Sequence, residues 1–100
     1  MQELTGFQRD VLFVLNGLGA SHGARLKREL ERARYESVLP GRLYHNLDVL
    51  VEQSFVEKRE GSGRENEYQL TQEGRASIRE HNEWQQRYVD QPAREESIPS

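Results

Sequence analysis

The chain has 100 residues, of which 34% are hydrophobic and 31% charged, and its formal net charge at pH 7 is −3. This length buries one hydrophobic core, and the low apolar fraction indicates a small, highly exposed domain or an oligomer. The absence of cysteine excludes disulfides, thiol redox chemistry and thiolate metal sites. The acidic balance argues against nucleic-acid binding, because the duplex is a polyanion. Neither a signal-like leader nor a run of 18 apolar residues occurs, so we expect a cytoplasmic protein.

Two helices are predicted in the first third of the chain. Residues 4–18 begin with Thr5, a suitable N-cap, and form the most hydrophobic stretch, so this helix should lie at the centre of the core. Its apolar side chains are Phe7, Val11, Leu12, Val14, Leu15 and Leu18. Residues 24–33 predict a second, mostly exposed helix, in which Leu26 and Leu30 are an apolar i, i+4 pair among charged residues.

A third helix is predicted over residues 40–53, with Pro40 in its first turn. One face is apolar and carries Leu43, Leu47, Leu50 and Val51. The helical wheel places a second group away from these leucines, namely Arg42, His45, Asn46, Val49 and Gln53. A buried anchor below a hydrogen-bonding surface is typical of a helix that enters a DNA major groove.

The second half of the chain predicts a hairpin and a final helix. Two short strands at residues 55–60 and 65–70 flank Gly61-Ser62-Gly63-Arg64. The final helix follows from Thr71 to Tyr88 or Gln91, where Pro92 ends it. Its stripe of Ile78, His81, Trp84, Gln85 and Tyr88 predicts a partner surface, and homodimerisation is favoured over folding back onto the first helix. Residues 92–100 are expected to be disordered.

In their order and spacing, several of these segments resemble the PadR family of winged-helix transcriptional regulators. The resemblance rests on residues 39–47 (Leu-Pro-Gly-Arg-Leu-Tyr-His-Asn-Leu), Leu50, residues 55–59 (Phe-Val-Glu-Lys-Arg), residues 68–74 (Tyr-Gln-Leu-Thr-Gln-Glu-Gly), and Ser21-His22-Gly23 before the second helix. The arginine-rich, lysine-poor, acidic composition is similar to that of haloarchaeal members. Asp48 and Glu52 depart from the basic residues common in the family, and Ser54 from a helix-ending glycine.

The resemblance implies a mainly α fold with a small β-hairpin, in which residues 1–71 form a winged helix-turn-helix domain and residues 72–91 a dimerisation helix. It also implies a homodimer of the short type that represses transcription from a palindromic operator in double-stranded DNA. Recognition-helix contacts are expected from Arg42 to guanine, Asn46 to adenine and Val49 to a thymine methyl, together with His45. Tyr44 also belongs to this recognition-helix group, on its flank, where it can pack on the core, donate to a phosphate or do both, with packing favoured. The wing contacts are expected from Lys58, Arg59, Ser62 and Arg64.

The main alternative is a winged-helix protein-interaction module without DNA binding, which the net charge favours. An enzyme is a distant third, because His22, His45 and His81 are scattered and no nucleophile-base pair, phosphate loop or metal-ligand spacing is visible. We therefore expect neither a catalytic activity nor a metal or cofactor.

Overall fold

The computed structural model describes residues 3–61, 63 and 65–90. The elements in chain order are α1 (Gly6–Leu18), β1 (Ser21–His22), α2 (Gly23–Arg34), α3 (Pro40–Glu52), β2 (Val56–Glu60), β3 (Asn66–Leu70) and α4 (Gln72–Val89). This architecture confirms the predicted mainly helical fold with a hairpin. The predicted disordered segment, residues 92–100, lies outside the described residues.

The hairpin belongs to a three-stranded antiparallel sheet with the order β1-β3-β2. The strand β1 was not predicted from the sequence. Ser21 lies opposite Tyr68 and His22 opposite Glu67. Two residues are too few for an alternating pattern, so this strand is recognisable only from its pairing. The pairing ties the entry of α2 to the hairpin.

The core surrounds α1, as predicted. Val11, Leu12 and Leu15 on α1 are at most 1% exposed. The leucines of α2 and α3 close over this face, and all five are fully buried: Leu26, Leu30, Leu43, Leu47 and Leu50. Burying this many large aliphatic side chains is the main source of stability in so small a domain.

The beginning of α1 and the end of α3 are fixed by local hydrogen bonds. At the start of α1, Thr5 and Gln8 form a capping box. After α3, the Ser54 N–H donates to the Val51 carbonyl and the Phe55 N–H to the Leu50 carbonyl, each at 3.0 Å. This is the Schellman pattern, and Ser54 has the left-handed φ of 68° that the pattern requires. A serine therefore occupies a position suited to glycine.

The connection between α2 and α3 is anchored at its middle. Val38 is 2% exposed, and its N–H donates to a Glu31 carboxylate oxygen at 2.9 Å. Together with the Lys27 ammonium, which lies 3.2 Å from the same oxygen, this bond holds the pKa of Glu31 below its ordinary value. The resulting stabilisation is present at neutral pH and is lost as the pH falls through the lowered pKa. These contacts fix the path from α2 into α3.

The helix α4 starts against the core and continues beyond it. Its N-cap Thr71 accepts a hydrogen bond from the Gly74 N–H at 3.0 Å. Gly74 and Ile78 are its buried residues, whereas residues 82–90 are all exposed. Among the described residues, no helix combines the length and the apolar character needed to cross a membrane.

Candidate DNA-binding surface

The helix α3 lies with one face in the core and the opposite face in solvent. Leu43, Leu47 and Leu50 are fully buried, which fixes the rotation of the helix about its own axis. On the opposite side, His45 and Asp48 are exposed, as is Glu52. The outermost part of the helix therefore combines one imidazole with two carboxylates, as the acidic departures in the sequence indicated.

Arg42 lies at the edge of this surface and contacts α1. Its guanidinium carbon is 4.0 Å from the centroid of the Phe7 ring, a cation–π distance, and Arg34 approaches the same ring at 5.1 Å. Arg34 also hydrogen-bonds Glu36 at 2.6 Å and Asp10, and these carboxylates raise its pKa. By contrast, the nearest carboxylate to Arg42, that of Glu36, is 3.9 Å away, and the Arg42 side chain is 43% exposed. Arg42 is thus held against Phe7, and its ion pair with Glu36 is long.

Asn46 lies at the border between the apolar face of α3 and solvent, where it faces α1. The wheel expectation that the whole polar group lies away from the core is wrong for Asn46, Val49 and Gln53, which are all partly buried. The Asn46 carboxamide accepts a hydrogen bond from Gln8 Nε2 at 3.0 Å and donates one to the Arg42 carbonyl at 2.8 Å. Asn46 follows Leu43 by three positions and precedes Leu50 by four, so it lies at the border of the apolar face, where Gln8 of α1 reaches it.

Tyr44 occupies the other flank of α3 and is 43% exposed. Its hydroxyl lies against Gly23, where an added Cβ would be 2.3 Å from the oxygen. Tyr44 also lines a cleft with Asn66 and Tyr68 from β3. Burial raises the pKa of Tyr68, and the nearby Asp48 carboxylate adds to the effect. The flank that carries Tyr44 therefore meets both the start of α2 and the hairpin.

The two described basic residues of the hairpin differ in their contacts: Arg59 is paired across the strands, and Lys58 is not. Arg59 Nη2 lies 3.3 Å from a Glu67 carboxylate oxygen and 3.2 Å from Gln69 Oε1 across the strand pair. Lys58 is exposed and, within the described part of the chain, makes no ion pair. Ser62 and Arg64, the other predicted wing contacts, lie outside the described residues.

The predicted partner stripe on α4 forms a ladder of rings. His81 stacks on Trp84 with centroids 5.7 Å apart, and Trp84 meets Tyr88 at 5.3 Å. Phe13 of α1 touches the base of the ladder through His81 at 6.0 Å. Trp84 remains 49% and Tyr88 70% exposed, and Gln85 is also exposed. The rings are thus only partly covered by their own chain.

Ile78 differs from the other members of that stripe. It is 6% exposed and belongs to the core of its own chain. Most of the Ile78 side chain is therefore already covered within its own chain, because α4 is still packed on the core at this position.

Three features of this region were missed from the sequence. Gln8 bridges α1 and α3, a role that its place in a capping box does not reveal. Tyr35 and Leu39 flank the α2–α3 connection and are 95% and 72% exposed. Their exposure follows from the anchored Val38 between them and carries no sequence signal.

Among the described residues, no cluster of three or more His, Cys, Asp or Glu is arranged to hold a metal ion.

A helix-turn-helix followed by a two-stranded wing, with the second helix of the pair exposed along one face, defines a winged-helix protein. The model of the transcriptional regulator PadR-like family matches residues 11–80, and the chain belongs to that family. The predicted family resemblance is thereby confirmed, and the coarse function follows: the protein is a DNA-binding transcription regulator.

Solved structures agree with this assignment. RosR from H. salinarum is 44% identical, with a TM-score of 0.84 over 92% of this chain and 83% of that one. A MarR mutant from E. coli complexed with operator DNA is 25% identical, with a TM-score of 0.69 over 78% of this chain and 53% of that one. F93 from STIV, a winged-helix DNA-binding protein, shares the fold at 20% identity and a TM-score of 0.77, covering 92% of this chain and 100% of F93. No curated protein matches the chain significantly.

Proposed function

We propose that the protein is a homodimeric repressor that inserts α3 into the major groove of a palindromic operator. The observation that carries the proposal is the way α3 packs on the core. Three fully buried leucines hold it on the core, while its opposite face, which includes His45 and Asp48, remains exposed. A rigidly held, exposed helix can present its side chains to base edges in a fixed register.

Most of the reading groups in this proposal lie in the N-terminal half of α3, and Val49 follows Asp48 in its C-terminal half. Arg42 contacts a guanine, Asn46 an adenine and Val49 a thymine methyl, while His45 projects from the most exposed part of the helix. The MarR–operator complex supports this use of the fold, because that protein is similar in sequence and structure and is bound to operator DNA. Asp48 keeps the C-terminal half of α3 away from the phosphates by repulsion.

The wing supplies affinity that does not depend on sequence. Lys58 is the described wing residue best suited to a phosphate, since it is exposed and unpaired within the described residues. Arg59 already shares its donors with Glu67 and Gln69, so phosphate contact requires it to exchange partners. Ser62 and Arg64 complete the proposed wing contacts.

The division of the chain follows from these roles. Residues 1–71 bind DNA and residues 72–91 form the dimer through His81, Trp84, Gln85 and Tyr88. The half-exposed Trp84 ring and the more exposed Tyr88 ring support this, because aromatic side chains of this kind are the usual anchors of an interface. A two-fold dimer places its recognition helices about 34 Å apart, one turn of DNA. A dimer seated on a promoter in the cytoplasm represses by excluding the transcription machinery.

A salt-dependent binding titration tests the proposal. Fluorescence anisotropy is measured with a labelled duplex from the region upstream of the protein's own gene and with a scrambled duplex of the same composition. Tighter binding of the upstream duplex, with an affinity that falls as salt rises, is expected because phosphate contacts release counterions. If neither duplex binds at any salt concentration, the protein is instead an interaction module that uses the winged-helix fold without DNA.

A further inference from the structure

A chain of three hydrogen bonds connects the start of α1 to the middle of α3. The Thr5 N–H donates to Gln8 Oε1 at 3.1 Å, and Gln8 Nε2 donates to Asn46 Oδ1 at 3.0 Å. Asn46 Nδ2 then donates to the Arg42 carbonyl at 2.8 Å. Gln8 is 8% exposed, so water competes little for its carboxamide.

The direction of this chain is fixed at both ends by backbone groups. The Thr5 N–H can only donate, so Gln8 must turn its oxygen to Thr5 and its nitrogen to Asn46. The Arg42 carbonyl can only accept, so Asn46 must turn its nitrogen to Arg42 and its oxygen to Gln8. Both requirements agree, and therefore the Asn46 carboxamide has one orientation rather than two.

The orientation decides what Asn46 can offer to a base. After its two internal hydrogen bonds, the carboxamide retains one N–H donor and one acceptor lone pair on its oxygen. Adenine presents an acceptor at N7 beside a donor at N6 in the major groove, and this pair matches one free donor and one free acceptor. Guanine presents two acceptors there, so it can pair with the free N–H of Asn46 but not with the free lone pair on its oxygen. An oriented Asn46 is therefore suited to adenine.

We propose that Gln8 is a positioning residue that sets the base preference of the recognition helix through Asn46. The inference deepens the proposed function and rests on it, because it requires α3 to read base edges. Capping alone does not explain a glutamine here. Glutamate caps a helix equally well in a capping box, whereas only the amide can accept from Thr5 and donate to Asn46 at the same time.

Gln8→Glu separates the two roles of this side chain. The carboxylate still accepts from the Thr5 N–H, so the cap is kept, but it has no hydrogen to give to Asn46 Oδ1. Asn46 then turns its nitrogen to Glu at position 8, and its oxygen meets the Arg42 carbonyl, another acceptor. We expect the preference for adenine at one base pair of the operator half-site to fall about tenfold, while binding to a scrambled duplex changes little.

Two matched variants complete the experiment, which measures affinities for a set of duplexes substituted at each position of the half-site. Asn46→Ala should weaken the base preference at the same base pair. Adding Gln8→Glu to the Asn46→Ala protein should cause no further loss of that preference. Thr5→Ala removes the cap but leaves the Gln8–Asn46 bond, so it should lower the melting temperature without altering base preference. If Gln8→Glu weakens binding to every duplex and lowers the melting temperature, Gln8→Met replaces it, since methionine removes the donor without adding charge.

The outcomes distinguish this inference from the function on which it rests. Loss of preference at one shared base pair in Gln8→Glu and Asn46→Ala supports it. An unchanged preference in both Gln8 variants overturns it, as does an Asn46→Ala protein with wild-type preference at every position, and in both cases the regulator still binds its operator. Absence of sequence-specific binding by the wild-type protein overturns the inference and the proposed function together.

Discussion

Ser54 shows how a single residue departs from what the local backbone needs. It holds the left-handed position of the turn after α3 with φ at 68°, where a side chain is strained. A left-handed residue other than glycine costs about 1–2 kcal/mol, and glycine loses about 0.5–1 kcal/mol through its greater freedom in the unfolded chain. Ser54→Gly should therefore increase the free energy of unfolding by about 0.5–1 kcal/mol, as measured by urea denaturation.

Ser54→Ala is the control for this substitution. Alanine keeps the strain and removes only the hydroxyl, while the Thr71 hydroxyl continues to donate to the residue 54 carbonyl, at 2.6 Å in the wild type. Its stability should stay within about 0.5 kcal/mol of the wild-type value. Equal stabilisation by glycine and alanine would show that the backbone conformation is not the cause.

Alanine substitution is expected to have opposite effects on stability at two glycines, Gly74 on α4 and Gly17 on α1. At Gly74 on α4, an added Cβ would lie 2.2 Å from the Phe55 carbonyl oxygen, so Gly74→Ala has to push α4 away from the turn before β2. A cost of about 1–3 kcal/mol is expected from such overpacking. At Gly17 on α1, apart from the adjacent residues and the local helix backbone, no described atom lies within 4 Å of the added Cβ. Gly17→Ala should stabilise the protein by about 0.5–1 kcal/mol, because alanine is the better helix former.

Thermal unfolding of the two alanine variants under identical conditions makes this comparison. A lower melting temperature for Gly74→Ala and a higher one for Gly17→Ala are expected. If both variants have lower melting temperatures, the close approach of Gly74 to Phe55 is not what separates the two positions.

The elements themselves were predictable where each is encoded by its own sequence. The cap at Thr5, the proline at position 40 and the leucine spacing of α3 placed the helices within about two residues of their ends. The strand β1 and the contact of Asn46 with α1 were not predictable, since both depend on a partner distant in sequence. For the candidate site, the helix that carries it was predicted, but the role of Gln8 was not, because its partner is 38 positions away.

At the scale of the whole molecule, the exposed rings of α4 predict the assembly state. Trp84→Ala should raise the dimer dissociation constant by about 30-fold or more, since truncation of an aromatic anchor costs about 2 kcal/mol or more. Sedimentation velocity over a concentration series measures the change. Gln86→Ala is the control, because Gln86 projects from the opposite side of α4 and bonds only Asp90 among the described residues. A wild-type protein that sediments as a monomer throughout would contradict the proposed dimer.

The central claim is that α3 reads sequence while the wing supplies affinity, and duplex titrations of Arg42→Ala and Lys58→Ala test it most directly. Each variant is titrated against the preferred duplex and a scrambled one, after thermal unfolding has shown that loss of the Arg42–Phe7 contact leaves the fold intact. Arg42→Ala should weaken binding to the preferred duplex by about 1–3 kcal/mol and barely affect the scrambled one, whereas Lys58→Ala should weaken both alike. Equal weakening of both duplexes by both variants would contradict the account.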